Sequence, residues 1–292
     1  MSKQNNYYVF INLVVIALLI LLFSCKEKPN EPEDTVLPNT YIEIKDFKYG
    51  EHPLQAMDIY LQENRNLSTP LVILVHGGSW VGGDKSQFNL NPYLKAGMNV
   101  VNINYRLANG QDILCEEIIT DIHSAVSAVR ANTKRWNIRS GNYILWGNSA
   151  GGHLSQLYAH KYDANNVISA VVSFGGPTKL DDIESFDLEQ HYYLLLKLTG
   201  KPWNGGELPE VYRNYSPYYA GNYKPSFLIH GEKDALVPLR QAVLMQQKLT
   251  ERGVDNDIFI LSNAGHSGEG APDKETQEVI LKSYEWILKY SK

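Results

Sequence analysis

The sequence predicts an α/β protein: a mostly parallel, eight-stranded sheet with helices on both faces and a small helical insertion after the sixth strand. Three observations carry this expectation. Past residue 40 the chain alternates short apolar runs with amphipathic stretches, the rhythm of strands joined by crossover helices. One run, Leu71–Val75, is apolar without a break, as suits a strand buried on both faces. The rhythm then lapses once, over residues 175–224, a stretch too long for a plain loop in a compact domain.

Taken in order, alternating residues mark strands at 41–48 and 56–61, with no helix between them, so this pair forms an antiparallel edge. Leu71–Val75 follows, then strands near 99–104, 143–147, 167–174, 226–230 and 257–261. Helices fill the intervals near 112–135, 150–162, 238–252 and 273–290. The first of these carries Ile118, Ile119, Ile122, Ala125, Val126 and Val129 on one stripe. The 178–222 insertion, rich in Tyr, Leu, Pro and Asp, is expected either over the carboxyl edge of the sheet or as a remote surface excursion.

Composition narrows the function classes. The chain has 292 residues, 43% of them apolar and 20% charged, enough for a large globular core. Its net charge of -5 carries no basic footprint for nucleic acid. Two cysteines, Cys25 and Cys115, exclude a disulfide framework and a Cys-rich zinc module.

The first 40 residues stand apart. Val9–Phe23 is apolar except for Asn12, short for a membrane span and suited to the apolar part of a signal peptide. It ends in Leu22-Phe23-Ser24-Cys25, which resembles the lipobox of bacterial lipoproteins. That resemblance implies lipidation of Cys25, a membrane-anchored protein in the periplasm or on the cell surface, and a lone thiol at Cys115. Residues 26–40, with three prolines and many charges, read as a flexible tether. Its acidic residues loosely resemble the surface-export signals of some Bacteroidetes lipoproteins.

The chemistry centres on Gly147-Asn148-Ser149-Ala150-Gly151, between a strand and a helix. A G-x-S-x-G there is a nucleophile elbow: the turn is so sharp that only glycines fit beside it, and it lifts the Ser hydroxyl above the sheet. A hydroxyl needs a base, and the base an orienting acid, which follow the Ser in chain order. His266, in Asn263–Ser267 past the last strand, is the base. Asp234, in His230–Asp234 past the seventh strand, is the acid. Glu232 comes too early in its turn, while Asp181 and Asp182, after the sixth strand, are alternative acids. His76-Gly77-Gly78-Ser79-Trp80 follows Leu71–Val75, where small residues let the Gly78 and Ser79 N–H groups approach a substrate oxygen. The Ala150 N–H completes the oxyanion hole. His76 is read as holding that loop or packing in the core. Trp80 is read as the floor of a substrate pocket or as packing. His153 packs or hydrogen-bonds beside the elbow.

No H-E-x-x-H, paired-Cys, G-x-x-x-x-G-K-[ST] or G-x-G-x-x-G pattern occurs, so no metal and no nucleotide cofactor is expected.

Together His76–Trp80, Gly82-Gly83-Asp84-Lys85, Gly147–Gly152, Ser216-Pro217, His230–Pro238 and Ala264–His266 resemble the α/β-hydrolase superfamily. The likeness is to bacterial carboxylesterases of the hormone-sensitive-lipase-like and bifunctional feruloyl/acetyl esterase groups, and it runs over residues 41–290. It implies Ser149 as nucleophile, Asp234 as acid and His266 as base. It also implies a small ester substrate, such as a short acyl or feruloyl/acetyl ester on an oligosaccharide. Ser79 stands where many members have a third glycine. Kynurenine formamidases share a similar loop, so an amidase or peptidase on the same three residues is the second expectation. A binding protein that retained the fold without catalysis is the third.

Overall fold

The computed structural model describes residues 35–185 and 188–292. Residues 1–25, read above as a signal segment ending in Cys25, and residues 26–34 of the expected tether lie outside the described residues. Residues 36–292 form one compact unit.

The first strand, β1 (Ile42–Lys48), pairs antiparallel with β2 (Ala56–Leu61), the expected edge. After β3 (Leu71–Val75), a short helix α1 (Asn91–Lys95) leads into β4 (Asn99–Ile103). β2 is antiparallel to β4 as well, and every other pairing is parallel. The remaining elements are α2 (Cys115–Ala131), α3 (Thr133–Trp136), β5 (Tyr143–Asn148), α4 (Ala150–Leu157), β6 (Ile168–Phe174), α5 (Leu188–Thr199) and α6 (Glu210–Asn214). The chain closes with β7 (Ser226–Gly231), α7 (Arg240–Glu251), β8 (Asn256–Leu261) and α8 (Asp273–Tyr290). The spatial order of the eight strands is β1-β2-β4-β3-β5-β6-β7-β8.

That order sets the site. From β3 the chain steps outward to β4, then returns past β3 to β5. Loops from β3 and β5 therefore leave the carboxyl edge side by side, at the switch point where open α/β sheets form a crevice. The strands alternate between two cores. Leu71, Ile73, Val75, Tyr143 and Leu145 face α2 and α4, whereas Val72, Leu74 and Ile144 face α1 and α8. All five residues of β3 are fully buried, as its unbroken apolar run requires.

Two expected helices are shorter than their apolar patterns. The 112–135 stretch begins only at Cys115, because the Asn109 side chain accepts from the amides of Gln111, Asp112 and Ile113 and holds them in a turn. Its α-helix ends at Ala131, and a separate turn, α3, closes on Asn137 in the left-handed region. The 150–162 stretch is α-helical to Leu157 and then widens to a π-turn, with Asp163 N–H on the Tyr158 carbonyl at 3.0 Å.

Residues 36–40, expected within the tether, are held against the domain. Leu37 N–H donates to the Arg135 carbonyl at 2.7 Å. Arg65, 1% exposed, donates to the carbonyls of Trp136, Thr40, Gln62 and Pro38 at 2.6–3.0 Å. One guanidinium thus joins the entering chain, the β2–β3 loop and the end of α3. Arg65→Met removes all four donors and leaves buried carbonyls unpaired, so it is expected to cost about 3 kcal/mol of unfolding free energy in urea titration. A change below about 1 kcal/mol would show that water replaces the guanidinium there.

Candidate active site

Ser149 sits at the tip of the β5–α4 turn with φ 52° and ψ −124°, a conformation that non-glycine residues adopt at a cost. Three glycines permit it. A Cβ on Gly151 would lie 1.9 Å from the Val75 carbonyl oxygen, one on Gly147 2.2 Å from the Gly151 oxygen, and one on Gly77 3.2 Å from Ser149 Cβ. The turn is anchored by Ser149 N–H donating to the Phe174 carbonyl at 2.7 Å.

The structure brings the three residues singled out in the sequence into one line. His266 Nε2 lies 2.8 Å from Ser149 Oγ, and His266 Nδ1 lies 2.7 Å from Asp234 Oδ2. Asp234 accepts at Oδ2, so Nδ1 carries the ring proton and Nε2 is free to accept from the Ser149 hydroxyl. Asp234 is 6% exposed and its other oxygen takes two backbone donors, Leu236 N–H at 3.0 Å and Val237 N–H at 2.8 Å. Burial alone raises the pKa of such a carboxyl. The nearby His230 ring and the hydrogen bonds from His266 and the Val237 N–H outweigh it and hold Asp234 well below the usual carboxylate range. A hydroxyl, an accepting imidazole and a buried carboxylate in this order can move a proton off the hydroxyl and return it to a departing group.

The competing acids are engaged elsewhere. Glu232 accepts from Asn263 N–H at 2.8 Å and braces the His266 loop. Asp181 takes Lys179 Nζ and the Tyr219 hydroxyl, each at 2.9 Å, and Asp182 takes Arg240 Nε at 2.9 Å and the Ser185 hydroxyl at 2.5 Å.

The loop after β3 passes Ser149 with three consecutive residues at positive φ: Gly78 at 117°, Ser79 at 53° and Trp80 at 65°. Among the described residues, no backbone carbonyl accepts from the Gly78 or Ser79 N–H. Ala150 N–H opens α4, where the first amides of a helix have no acceptor within it. The loop is tied down from behind. Asp84 accepts from Ser86 N–H at 2.8 Å and Asn104 Nδ2 at 2.7 Å, and Lys85 Nζ reaches Asp58 at 2.8 Å. His76 stacks on Tyr105 and bonds the Gly77 carbonyl through Nδ1 at 2.7 Å, so it holds the loop.

Trp80 corrects one reading from sequence. It is 6% exposed and belongs to the core, with its indole N–H donating to His153 Nδ1 at 3.1 Å. His153 Nε2–H in turn donates to the Tyr215 carbonyl at 2.8 Å. Trp80 is a tie between the loop, α4 and the insertion, and it presents almost no surface to a ligand.

Sequence reasoning missed Gly175, where a Cβ would lie 3.3–3.5 Å from His266 and from Asp234 Oδ2 at a φ of 59°. The Gly-Gly step directly after β6 was its only signal. It also missed Glu269, whose carboxylate accepts from Ser267 N–H at 2.8 Å. Among the described residues, no three His, Cys, Asp or Glu side chains stand close enough together to hold a metal ion.

The insertion lies along the carboxyl edge. Near its amino end α5 is tied to the acid loop, His191 Nε2 donating to the Leu236 carbonyl at 2.7 Å. Near its carboxyl end it meets the loop after β4, Lys197 Nζ donating to the Asn109 carbonyl at 3.3 Å. Strands spaced about 4.8 Å apart put β4 and β7 about 19 Å from each other, and a twelve-residue helix is about 18 Å long. Leu195 and Leu198 join the core on the α2 and α4 side. So α5 is tied at both ends to loops that leave the carboxyl edge of the sheet.

Comparison with known proteins gives a consistent picture. A profile of the BD-FAE family matches residues 57–249. Esterase LipC of Mycobacterium tuberculosis is 26% identical over 77% of the chain, and a kynurenine formamidase of Danio rerio is 30% identical over 49% of it. The chain spans 60% and 48% of the length of these two relatives. A solved truncated carbohydrate esterase from gut microbiota superposes with a TM-score of 0.72 at 20% identity, covering 88% of this chain and 99% of that one.

The buried histidines make stability pH-dependent. Burial pushes the His153 pKa from an ordinary 6.5 down to about 4, against the pull of the Tyr215 carbonyl, and the His160 pKa down to about 3. Both rings stay neutral in the folded state while the unfolded chain takes up protons below its own pKa. Stability therefore falls as pH falls through that value toward the folded one. The thermal midpoint is expected to drop steadily between about pH 7 and about pH 4.5, and less steeply in His153→Gln; a wild-type midpoint flat over that range would contradict the buried neutral rings.

Proposed function

Because this chain belongs to the BD-FAE family, we propose that it is a serine carboxylesterase that cleaves its substrate through an acyl-enzyme. One observation carries the reading: the unbroken line from Ser149 Oγ through His266 to the buried Asp234 carboxylate. Ser149 attacks the ester carbonyl carbon as His266 Nε2 takes its proton. Asp234 keeps His266 in the accepting tautomer and balances the imidazolium that forms. The oxyanion is met by the N–H groups of Gly78, Ser79 and Ala150, donors fixed before the reaction begins. His266 then returns its proton to the leaving alkoxide, and a water, activated by the same ring, releases the acyl group from Ser149.

The substrate we favour is a short acyl or feruloyl/acetyl ester on a carbohydrate. The solved carbohydrate esterase of like fold supports this class. Amide hydrolysis is the second reading, favoured by the likeness to the formamidase. A panel of p-nitrophenyl esters and anilides, followed by acetylated and feruloylated oligosaccharides, separates the two.

Ser149→Ala is expected to lower kcat by about 10⁴-fold or more while substrate still binds. Asp234→Asn is expected to lower it by about 10³–10⁴-fold, through loss of the correct His266 tautomer. Asp181→Asn and Asp182→Asn should each change kcat by less than about tenfold. Full ester hydrolysis by purified Ser149→Ala would remove the mechanism.

We further propose that Cys25 is lipidated and that the enzyme works as a membrane-anchored lipoprotein at the periplasmic or outer face of a bacterial membrane. The support is the apolar run ending in Ser24-Cys25. Cys25→Ala should release the protein into the soluble fraction or block its processing, with specific activity unchanged. A mature protein whose mass shows no lipid, or whose first residue is not Cys25, would overturn this.

A further inference from the structure

A second histidine stands behind the acid. His230, on β7, is 1% exposed. Its Nε2 lies 2.6 Å from the Val237 carbonyl oxygen and 3.3 Å from Asp234 Oδ2. A carbonyl oxygen only accepts, so Nε2 carries a proton whatever the charge on the ring. That N–H is given to the carbonyl, and it stands beside the carboxylate oxygen without a second aligned hydrogen bond.

The partners form a closed loop. Val237 receives from His230 at its carbonyl and donates through its N–H to Asp234 Oδ1 at 2.8 Å. Asp234 Oδ2 then lies between two imidazoles, His266 at 2.7 Å and His230 at 3.3 Å. Side-chain and backbone donors together leave the carboxylate one orientation, with Oδ2 aimed at His266 Nδ1. The backbone repeats the restraint from the other side: Lys233 N–H donates to the Ala264 carbonyl at 2.8 Å, binding the acid loop to the loop that carries His266.

We propose that His230 is a positioning residue for the reaction: its Nε2–H, donated to Val237 O, fixes the turn whose Val237 N–H holds the carboxylate that aligns His266. The inference rests on the esterase reading above for its kinetic consequence. Its geometric consequence, the state of the Asp234–His266 hydrogen bond, does not depend on turnover.

The test compares three full-length variants. His230→Phe keeps an aromatic ring and removes the donor. His230→Gln places an amide N–H where Nε2 stood. His230→Asn is polar but too short to reach the Val237 carbonyl. The low-field proton resonance of His266 Nδ1–H is followed alongside kcat and KM on a p-nitrophenyl ester. His230→Phe and His230→Asn are expected to lower kcat about 10- to 100-fold with KM within about threefold, because a small misplacement at the reacting centre acts on chemistry and not on binding. Their low-field resonance should move or broaden away. His230→Gln should restore kcat to within about fivefold of wild type and retain the resonance. If His230→Phe fails to fold, the contrast between Gln and Asn carries the same information. An unmoved resonance in the Asn variant, or equal loss of kcat in Gln and Asn, would overturn the proposal. A protein inactive on every ester that still shows the resonance shift would overturn the esterase reading and leave the role of His230 standing.

Discussion

The close approach of the turn at Ser149 to the end of β3 is the constraint on which the site depends. The Gly151 backbone packs directly against the Val75 carbonyl, with no space for a side chain between them. That contact forces Ser149 into its left-handed conformation and brings Gly77 against the Ser149 side chain. It thereby aligns three things at once: the hydroxyl, the first amide of α4 and the two amides that follow Gly77. The strand order makes the approach available, because β3 and β5 are neighbours whose outgoing loops diverge. Strain at Ser149, Ser79 and Trp80 is tolerated because they stand on loops leaving two strands held together, Val72–Val75 of β3 pairing with Ile144–Gly147 of β5.

The second half of the site is electrostatic. A carboxylate as buried as Asp234 would favour its neutral form, and a neutral acid could not balance an imidazolium. Every lone pair that the protein satisfies around Asp234 works against that tendency. The two amides on Oδ1 come from Leu236 and Val237 in its own loop, and the partners at Oδ2 come from β7 and from the loop after β8. The charge is thus held by groups from three places along the chain. Gly175 leaves the opening through which His266 reaches both partners.

Much of this was legible in the residues. Eight strands, their mostly parallel arrangement and the antiparallel edge follow from apolar periodicity, and Ser149, Asp234 and His266 follow from motifs at the ends of predicted strands. What could not be read depends on contacts far apart in sequence. Trp80 looks like a ligand-facing aromatic until His153, more than seventy residues later, proves to take its indole proton. The stripe from Ile118 to Val129 marks the buried face of α2, yet the helix start at Cys115 was set by Asn109, a side chain outside the stripe. The end of the tether was misplaced for a similar reason: its composition is that of an extended linker, and Arg65 claims its last residues.

Arg65 also decides where the chain joins the domain. Its carbonyl partners lie in the segment before β1, in the loop before β3 and at the end of α3, which leads into β5. In a parallel sheet the segments that enter strands share the amino edge, and Ser149 stands at the carboxyl edge. Residues 36–40 therefore enter the domain at the edge opposite the nucleophile. If Cys25 carries the lipid we propose, eleven residues of chain reach at most about 40 Å from it to Val36. Entry at Val36 and the hydroxyl of Ser149 thus lie at opposite ends of the same sheet, so the residues that Arg65 holds take no part in the line from Ser149 to Asp234.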